Sequence, residues 1–350
     1  MKRIFDVDAN FKVESKDAPA DAVFYDPRKA PFGICGVFYE DGRFRRLPKA
    51  VAKRVNDGVY YLHANTAGGR VRFRTDSPYI VINAKMDGVD QMPHFPLTGS
   101  AGFDLYADGA YERTFVPASD MRRGYESTAY LEGVKMREIT IHMPLYANVT
   151  LLAIGLAADA RVLPPAPYRE IPPAVFYGSS ITQGGCASRP GNAYQNILSR
   201  RLNTDHLNLG FSGNAKGEDS IADYIAGLKM SVFVLDYDHN APDPAHLEAT
   251  HERLFQRVRS AQPTLPVIML SRPKYRLTDD ELRRREIVRR TYENARAAGD
   301  ENVYLLDGPA LMAMAGDDGT VDNCHPNDLG FYSMANALEP VIKKALNDER

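Results

Sequence analysis

Ala174-Val175-Phe176-Tyr177-Gly178-Ser179-Ser180-Ile181-Thr182 is the stretch whose reading decides the fold. Four apolar residues are followed by a glycine, two serines and the start of another apolar pattern. A short buried strand that breaks at a small, polar turn before a helix reads this way. The grammar repeats downstream. Strands are expected at 206–209, 232–236, 266–271 and 303–307, and helices at 193–202, 219–228, 244–261, 278–298 and 328–346. Alternation of strand and helix predicts an α/β domain: a doubly wound parallel sheet of about five strands with helices on both faces. Sites in such sheets gather beyond the carboxyl ends of the strands.

Upstream the pattern differs. Arg70-Val71-Arg72-Phe73-Arg74 alternates with period two, Tyr79 to Ala84 is a β-branched run, and 103–106 and 111–116 flank Asp108-Gly109, a hairpin signal. Residues 138–142 and 149–156 read as two more strands, and a short helical turn is expected near Pro48 to Val55. Several short strands with turns between them predict an all-β, jelly-roll-like sandwich over residues 1–163. Prolines 164, 165, 167, 172 and 173 mark residues 164–173 as a stiff connector to the α/β domain, 174–350.

Composition bounds the function classes. The chain has 350 residues and a formal net charge of -2, which argues against a nucleic-acid or anionic-membrane partner. No run of about 18 apolar residues is present, so no membrane span is expected. Acidic residues interrupt the N-terminus at once, so no secretory leader is read there. Three cysteines, Cys35, Cys186 and Cys324, lack zinc-ligand spacing and make no disulfide framework. These features lead us to expect a cytoplasmic protein with no cofactor and no metal, and they are compatible with a homo-oligomer.

The segments that follow the strands carry the chemistry: Gly178-Ser179-Ser180, Gly210-Phe211-Ser212-Gly213-Asn214, Asp236-Tyr237-Asp238-His239-Asn240, and, ahead of the last helix, Asp322-Asn323-Cys324-His325-Pro326. A serine hydroxyl is a weak nucleophile near neutral pH and needs a base, which itself needs an orienting partner. Ser180 at a strand-to-helix turn, His325 as base and Asp322 three residues before it meet these needs. Backbone N–H groups of Ser180 and Gly213, with the Asn240 amide, are candidates to stabilise an oxyanion.

The four segments resemble, in chain order, the Gly-Asp-Ser, glycine, Gly-X-Asn-Asp and Asp-X-X-His blocks of the SGNH (GDSL-type) hydrolase superfamily. The resemblance spans roughly residues 174–346. It implies an acyl-enzyme mechanism with Ser180 as nucleophile, His325 as base, Asp322 as acid, and Ser180, Gly213 and Asn240 as the oxyanion hole. Two blocks depart from the pattern. Ser179 stands where the family has an aspartate, and Asp238-His239-Asn240-Ala241 replaces both the glycine and the final aspartate of the third block. Neither departure touches an assigned role. The strand-rich half is similar to the sandwich that precedes the catalytic domain in some carbohydrate esterases and a few acyltransferases. The resemblance implies hydrolysis of short-chain, acetyl-type esters on a small molecule or oligosaccharide. Its alternatives are an acyltransferase using the same acyl-enzyme and a non-catalytic carbohydrate-binding protein.

Other residues have blander readings. Ser179, Arg189, Asp238 and His239 are candidates for substrate contacts, against roles as a turn serine, a loop charge and a satisfied pair at a strand end. Cys186 and Cys324 read as small buried hydrophobes near the site. His94 and His142 read as structural or surface histidines. The Arg283–Arg285 and Arg289–Arg290 cluster reads as a solvated, salt-bridged helix face.

Overall fold

The structure is a computed structural model that describes residues 7–8 and 17–347. The first residues of the expected sandwich and the last three residues of the chain lie outside the described residues. Two large antiparallel sheets, with a small two-stranded one formed by Phe38–Glu40 and Arg43–Arg45, make up the N-terminal domain. One runs in the order Ala22–Tyr25, Val149–Ala157, Tyr79–Met86, Gly124–Tyr130. The other runs Val162–Leu163, Arg70–Thr75, Arg137–His142, Phe103–Ala107, Ala110–Phe115, with Gly33–Cys35 also paired to Arg70–Thr75. Val71, Phe73 and Ile139 from one sheet meet Ile80, Ile82 and Ile154 from the other in a common core, so alternation places one face of each sheet inward. Asp108 and Gly109 both have positive φ, 52° and 81°, as a two-residue hairpin turn requires.

Several features of this domain escaped the pattern reading, among them the strands Ala22–Tyr25, Gly33–Cys35 and Val162–Leu163. Gly124–Tyr130 forms an edge strand although its sequence, Gly-Tyr-Glu-Ser-Thr-Ala-Tyr, is largely polar. The helical turn near residue 48 extends to two helices, Lys49–Val55 and Asp57–Leu62, the second capped where Val59 N–H donates to Asn56 Oδ1 at 2.8 Å.

The α/β domain contains five parallel strands: β1 (Ala174–Gly178), β2 (His206–Gly210), β3 (Phe233–Asp236), β4 (Val267–Leu270) and β5 (Val303–Leu306), in the spatial order β2-β1-β3-β4-β5. The three inner strands β1, β3 and β4 are short and nearly continuous in apolar residues because both faces are covered, whereas the edge strand β2 carries His206 and Asn208. Val175, Tyr177 and Leu235 pack into one apolar cluster, Phe176, Val234 and Ile268 into another. The main helices are Tyr194–Leu202, Asp219–Ala226, Pro244–Ala261, Asp279–Ala297 and Asp328–Ala345. Among the described residues no helix is long and apolar enough to cross a membrane. Strand order reverses between β1 and β3, which opens a crevice beyond their carboxyl ends.

The outward face of the second sheet is covered by the α/β domain and the connector. Arg70 is fully buried, pairs with Asp205 and contacts His206. Arg72 donates to Ala166 O at 2.9 Å and lies 3.9 Å from the Tyr168 ring, while Arg74 donates to Pro164 O at 2.8 Å. The proline-rich segment is thus tied to the sandwich along its course.

Candidate active site

The turn after β1 opens a short helix, Ser180–Gln183, with Ser179 as its cap: Ile181 N–H donates to Ser179 Oγ at 3.0 Å. Ser179 is fully buried, and this cap is where its hydroxyl is placed. Ser180 begins the helix, 7% exposed, with its Oγ 3.0 Å from His325 Nε2. The other ring nitrogen, Nδ1, lies 2.8 Å from Asp322 Oδ2. Asp322 Oδ1 accepts from the N–H groups of Cys324 and His325 at 3.1 and 2.7 Å, so the carboxylate organises its own loop while it holds the ring. The cap of the last helix is Asn327, not Asp322.

The turn after β2 brings Gly213 to the same crevice. Its φ is +68°, and a Cβ there would meet nothing within 4 Å, so the residue faces open space in a conformation that favours glycine. Ser212 N–H beside it is held by Gln183 Oε1 at 3.1 Å, and Gln183 Nε2 in turn donates to Asn65 Oδ1 and Leu145 O. Among the described residues, the N–H groups of Ser180 and Gly213 donate to no protein acceptor. Asn240 follows β3 and spends one amide N–H on Phe211 O at 3.1 Å, leaving the second. The turn that carries it is pinned by Arg284, whose Nη1 donates to Asp238 O at 2.9 Å and Ala241 O at 2.8 Å. Arg284 therefore departs from the solvated face expected of its cluster: it is buried, whereas Arg289 and Arg290 pair with Glu286, Glu293 and Glu248 at the surface.

Asp238 and His239 form an internal pair at 2.9 Å, and Asp238 Oδ2 also accepts Arg272 N–H. Asp238 is buried. Arg189 is placed against the N-terminal domain. Its Nη1 donates to Asp104 Oδ2 at 2.9 Å and to Tyr106 Oη at 2.6 Å, and its guanidinium lies 3.9 Å from the Tyr111 ring. Asp104 also accepts Gly191 N–H at 2.7 Å and the Thr114 hydroxyl at 2.7 Å. Sequence reasoning missed this clasp. Its one signal was a carboxylate inside the apolar strand Phe103-Asp104-Leu105-Tyr106.

Three further residues come to the site unannounced. Arg46 is fully buried and donates to Asn65 O, Leu62 O, Asn208 O and Gly210 O, which ties the sandwich to the end of β2. Among the described residues no carboxylate offsets its charge, and burial pulls its pKa down to about 9. Tyr146 donates to Ser180 O at 3.3 Å. His94, read from sequence as structural or surface, is exposed, with its ring centroid 5.8 Å from that of His325.

Electrostatics favour a charged imidazole. Contact with the Cys324 sulfur, then the Asp322 carboxylate, raises His325 to about 9 against the opposing effect of burial. Asp322 is held below its usual range; burial pushes it up, but the hydrogen bonds from His325 outweigh that. Beneath the site Asp236 accepts the Thr182 hydroxyl at 2.8 Å, and burial together with nearby Asp238 raises its carboxyl to about 8. A cleft of about 740 Å³ lies in the N-terminal domain, with Tyr60, Tyr61, Asp90, Met92 and Tyr146 in its walls. No member of the Ser180, His325, Asp322 set lines it; Tyr146 links the two. The arrangement can move a proton from a hydroxyl to an imidazole and present N–H donors to a developing anion.

These features define an α/β hydrolytic enzyme with an N-terminal antiparallel domain. The profile of the GDSL-like Lipase/Acylhydrolase family matches residues 172–343, and that of the N-terminus of SGNH-hydrolase-type esterases, GxDLY, matches residues 22–162. The α/β domain belongs to the GDSL-like lipase/acylhydrolase family, and that N-terminal domain precedes it. It is similar to a candidate GDSL-like lipase from Bacteroides ovatus, with 28% identity and a TM-score of 0.84 over 93% of this chain and 98% of that one. Similar folds occur in the salicylyl-acyltransferase SsfX3 of a tetracycline biosynthetic pathway (21% identity, TM-score 0.79, 95% and 100% covered). The acetyl xylan esterase Est2A of the rumen bacterium Butyrivibrio proteoclasticus shares the fold as well (14% identity, TM-score 0.61, 95% and 100% covered). Among curated proteins no match is found.

Proposed function

We propose that this enzyme hydrolyses short-chain acyl esters, acetyl esters of carbohydrates first among them, through an acyl-enzyme on Ser180. The observation that carries the reading is the continuous chain from Ser180 Oγ through both nitrogens of His325 to Asp322, at 3.0 and 2.8 Å. Ser180 Oγ attacks the ester carbonyl as its proton passes to His325 Nε2. Asp322 fixes the tautomer and stabilises the imidazolium. The Ser180 and Gly213 N–H groups and the free Asn240 amide N–H take the oxyanion. His325 then gives its proton to the departing alkoxide, and water activated by the same imidazole releases the acid. No cofactor enters this scheme.

The carbohydrate preference is supported by the cleft in the N-terminal domain, where exposed tyrosines stand beside Asp90 and other polar groups. Amphipathic rings of this kind suit the apolar faces and hydroxyls of a sugar. It is supported too by the fold shared with an acetyl xylan esterase. The shared fold of an acyltransferase keeps a second acceptor in view: an alcohol in place of water. The test is a panel of acetylated oligosaccharides and aryl esters of rising acyl length, run with and without an added alcohol. Acetate release that falls steeply with chain length supports the proposal, and loss of free acid in favour of a new ester identifies a transferase. A Ser180→Ala protein that hydrolyses aryl acetate at the wild-type rate overturns the mechanism.

A further inference from the structure

Neither cysteine near the site has a place in the mechanism above, nor does His94. Yet one donor atom each from His94, Cys186 and His325 lies within 4.8 Å of the other two. We propose that these three residues bind a thiophilic divalent cation, Zn²⁺ or Cd²⁺, and that its occupancy switches the enzyme off.

The three ligands come from separate segments that the fold holds in place. His94 stands in the tight turn where Phe95 N–H donates to Met92 O at 3.0 Å, and Phe95 is buried edge-on against Tyr146. Cys186 follows the serine helix at a positive φ of 73°. Its loop is clamped to the sandwich: Thr98 Oγ1 donates to Ser188 O at 2.5 Å, and a Cβ on Gly99 would meet Ala187 O at 2.0 Å. His325 has Nδ1 committed to Asp322. A Cβ on Gly185 would lie 3.6 Å from His325 Cδ2, the ring atom bonded to Nε2, so the chain leading to Cys186 runs along the Nε2 edge.

Three donors no more than 4.8 Å apart surround a point about 2.8 Å from each. Shifts of less than about 1 Å bring them to the usual zinc distances of ~2.0–2.1 Å for nitrogen and ~2.3 Å for sulfur. Two imidazoles and a thiol prefer Zn²⁺ or Cd²⁺ over Mg²⁺ or Ca²⁺, whose ligands are oxygens. The fourth position would hold water. Binding displaces the Sγ–H proton of Cys186, and the sulfur lone pair forms the metal bond. The metal also takes the His325 Nε2 lone pair, which otherwise accepts the Ser180 proton.

The inhibitory effect rests on His325 being the base; binding itself does not. The test therefore has two readouts. Cd²⁺ is titrated into the full-length wild type, His94→Ala, Cys186→Ser and Cys324→Ser, with the ultraviolet thiolate-to-metal charge-transfer band as the measure of binding. In parallel, aryl acetate hydrolysis is followed against free Zn²⁺ and after addition of a chelator. We expect reversible inhibition of the wild type. His94→Ala and Cys186→Ser should keep the metal-free rate and raise the half-inhibiting Zn²⁺ concentration by at least about tenfold. The Cys186→Ser protein should lose the band, and Cys324→Ser should keep both band and inhibition. His94 is exposed, so that variant is not compromised by folding. A band and inhibition unchanged in both His94→Ala and Cys186→Ser, or lost only in Cys324→Ser, overturns the proposal. A band without ester hydrolysis by any form refutes the esterase reading and leaves the metal site standing.

Discussion

Replacing Arg189 with methionine tests whether this residue holds the two domains together or holds substrate. Its guanidinium is 2.9 Å from Asp104 Oδ2, whose side chain is fully buried, and it also donates to the Tyr106 hydroxyl at 2.6 Å. Loss of one member of a buried pair costs ~3–5 kcal/mol, because the other charge stays buried without compensation. Here the cost is smaller. Arg189 is about one-fifth exposed, and Asp104 keeps the Gly191 N–H and the Thr114 hydroxyl. A loss of about 2–3 kcal/mol is the expected result. Denaturant unfolding measures it. The double variant Asp104→Asn, Arg189→Met should recover part of that loss, since no unpaired charge remains. KM for an uncharged aryl acetate should change less than about twofold, because the pair lies in the domain interface. A variant as stable as wild type with a KM raised tenfold would refute the clasp and return Arg189 to the substrate.

Asp322→Asn should lower kcat by ~10²–10⁴ with little effect on KM, since the amide cannot stabilise the imidazolium; steady-state kinetics on aryl acetate checks this. The base must be neutral to accept the Ser180 proton, so kcat/KM should rise with pH through the raised His325 pKa of about 9. Cys324→Ser removes the first cause of that rise and should move the limb to lower pH in a pH–rate profile. The linked stability has the opposite sense: the His325 contribution is full below its unfolded pKa of ~6.5 and is lost as pH climbs toward 9, as urea unfolding across that range would record. Arg46→Met should cost at least about 2 kcal/mol, because four carbonyls lose a buried donor, and kcat should fall as the β2 turn bearing Gly213 loosens; unfolding and kinetics together test it. Arg46→Lys should not rescue it, since one ammonium cannot reproduce the guanidinium fork.

How much of this was legible in the sequence depended on the range of the interactions. Short, largely apolar runs between Pro-, Gly- and Ser-rich breaks marked the inner strands of the parallel sheet, because a strand covered on both faces is apolar nearly throughout; the edge strand His206–Gly210 was marked by Leu207 and Leu209 between polar residues. The same local logic found Ser180 at its turn, and Asp322 and His325 three residues apart. It misjudged Gly124–Tyr130, where pairing to Tyr79–Met86 outweighs a polar composition. It also had no means of seeing that Arg70 and Arg72 would be buried. Period two told which side chains face the sandwich core; it could not tell that another domain would cover the opposite face.

The sequence by itself determined two architectures and a small set of residue types suited to serine chemistry, because backbone periodicity and turn chemistry act over a few residues. Tertiary structure alone decided which of those residues meet. Ser180 and His325 are 145 positions apart and hydrogen-bonded, Arg189 is turned onto Asp104 of the other domain, and His94 is carried to the rim of the crevice. Such juxtapositions depend on how two cores pack against each other, and no local pattern encodes that packing.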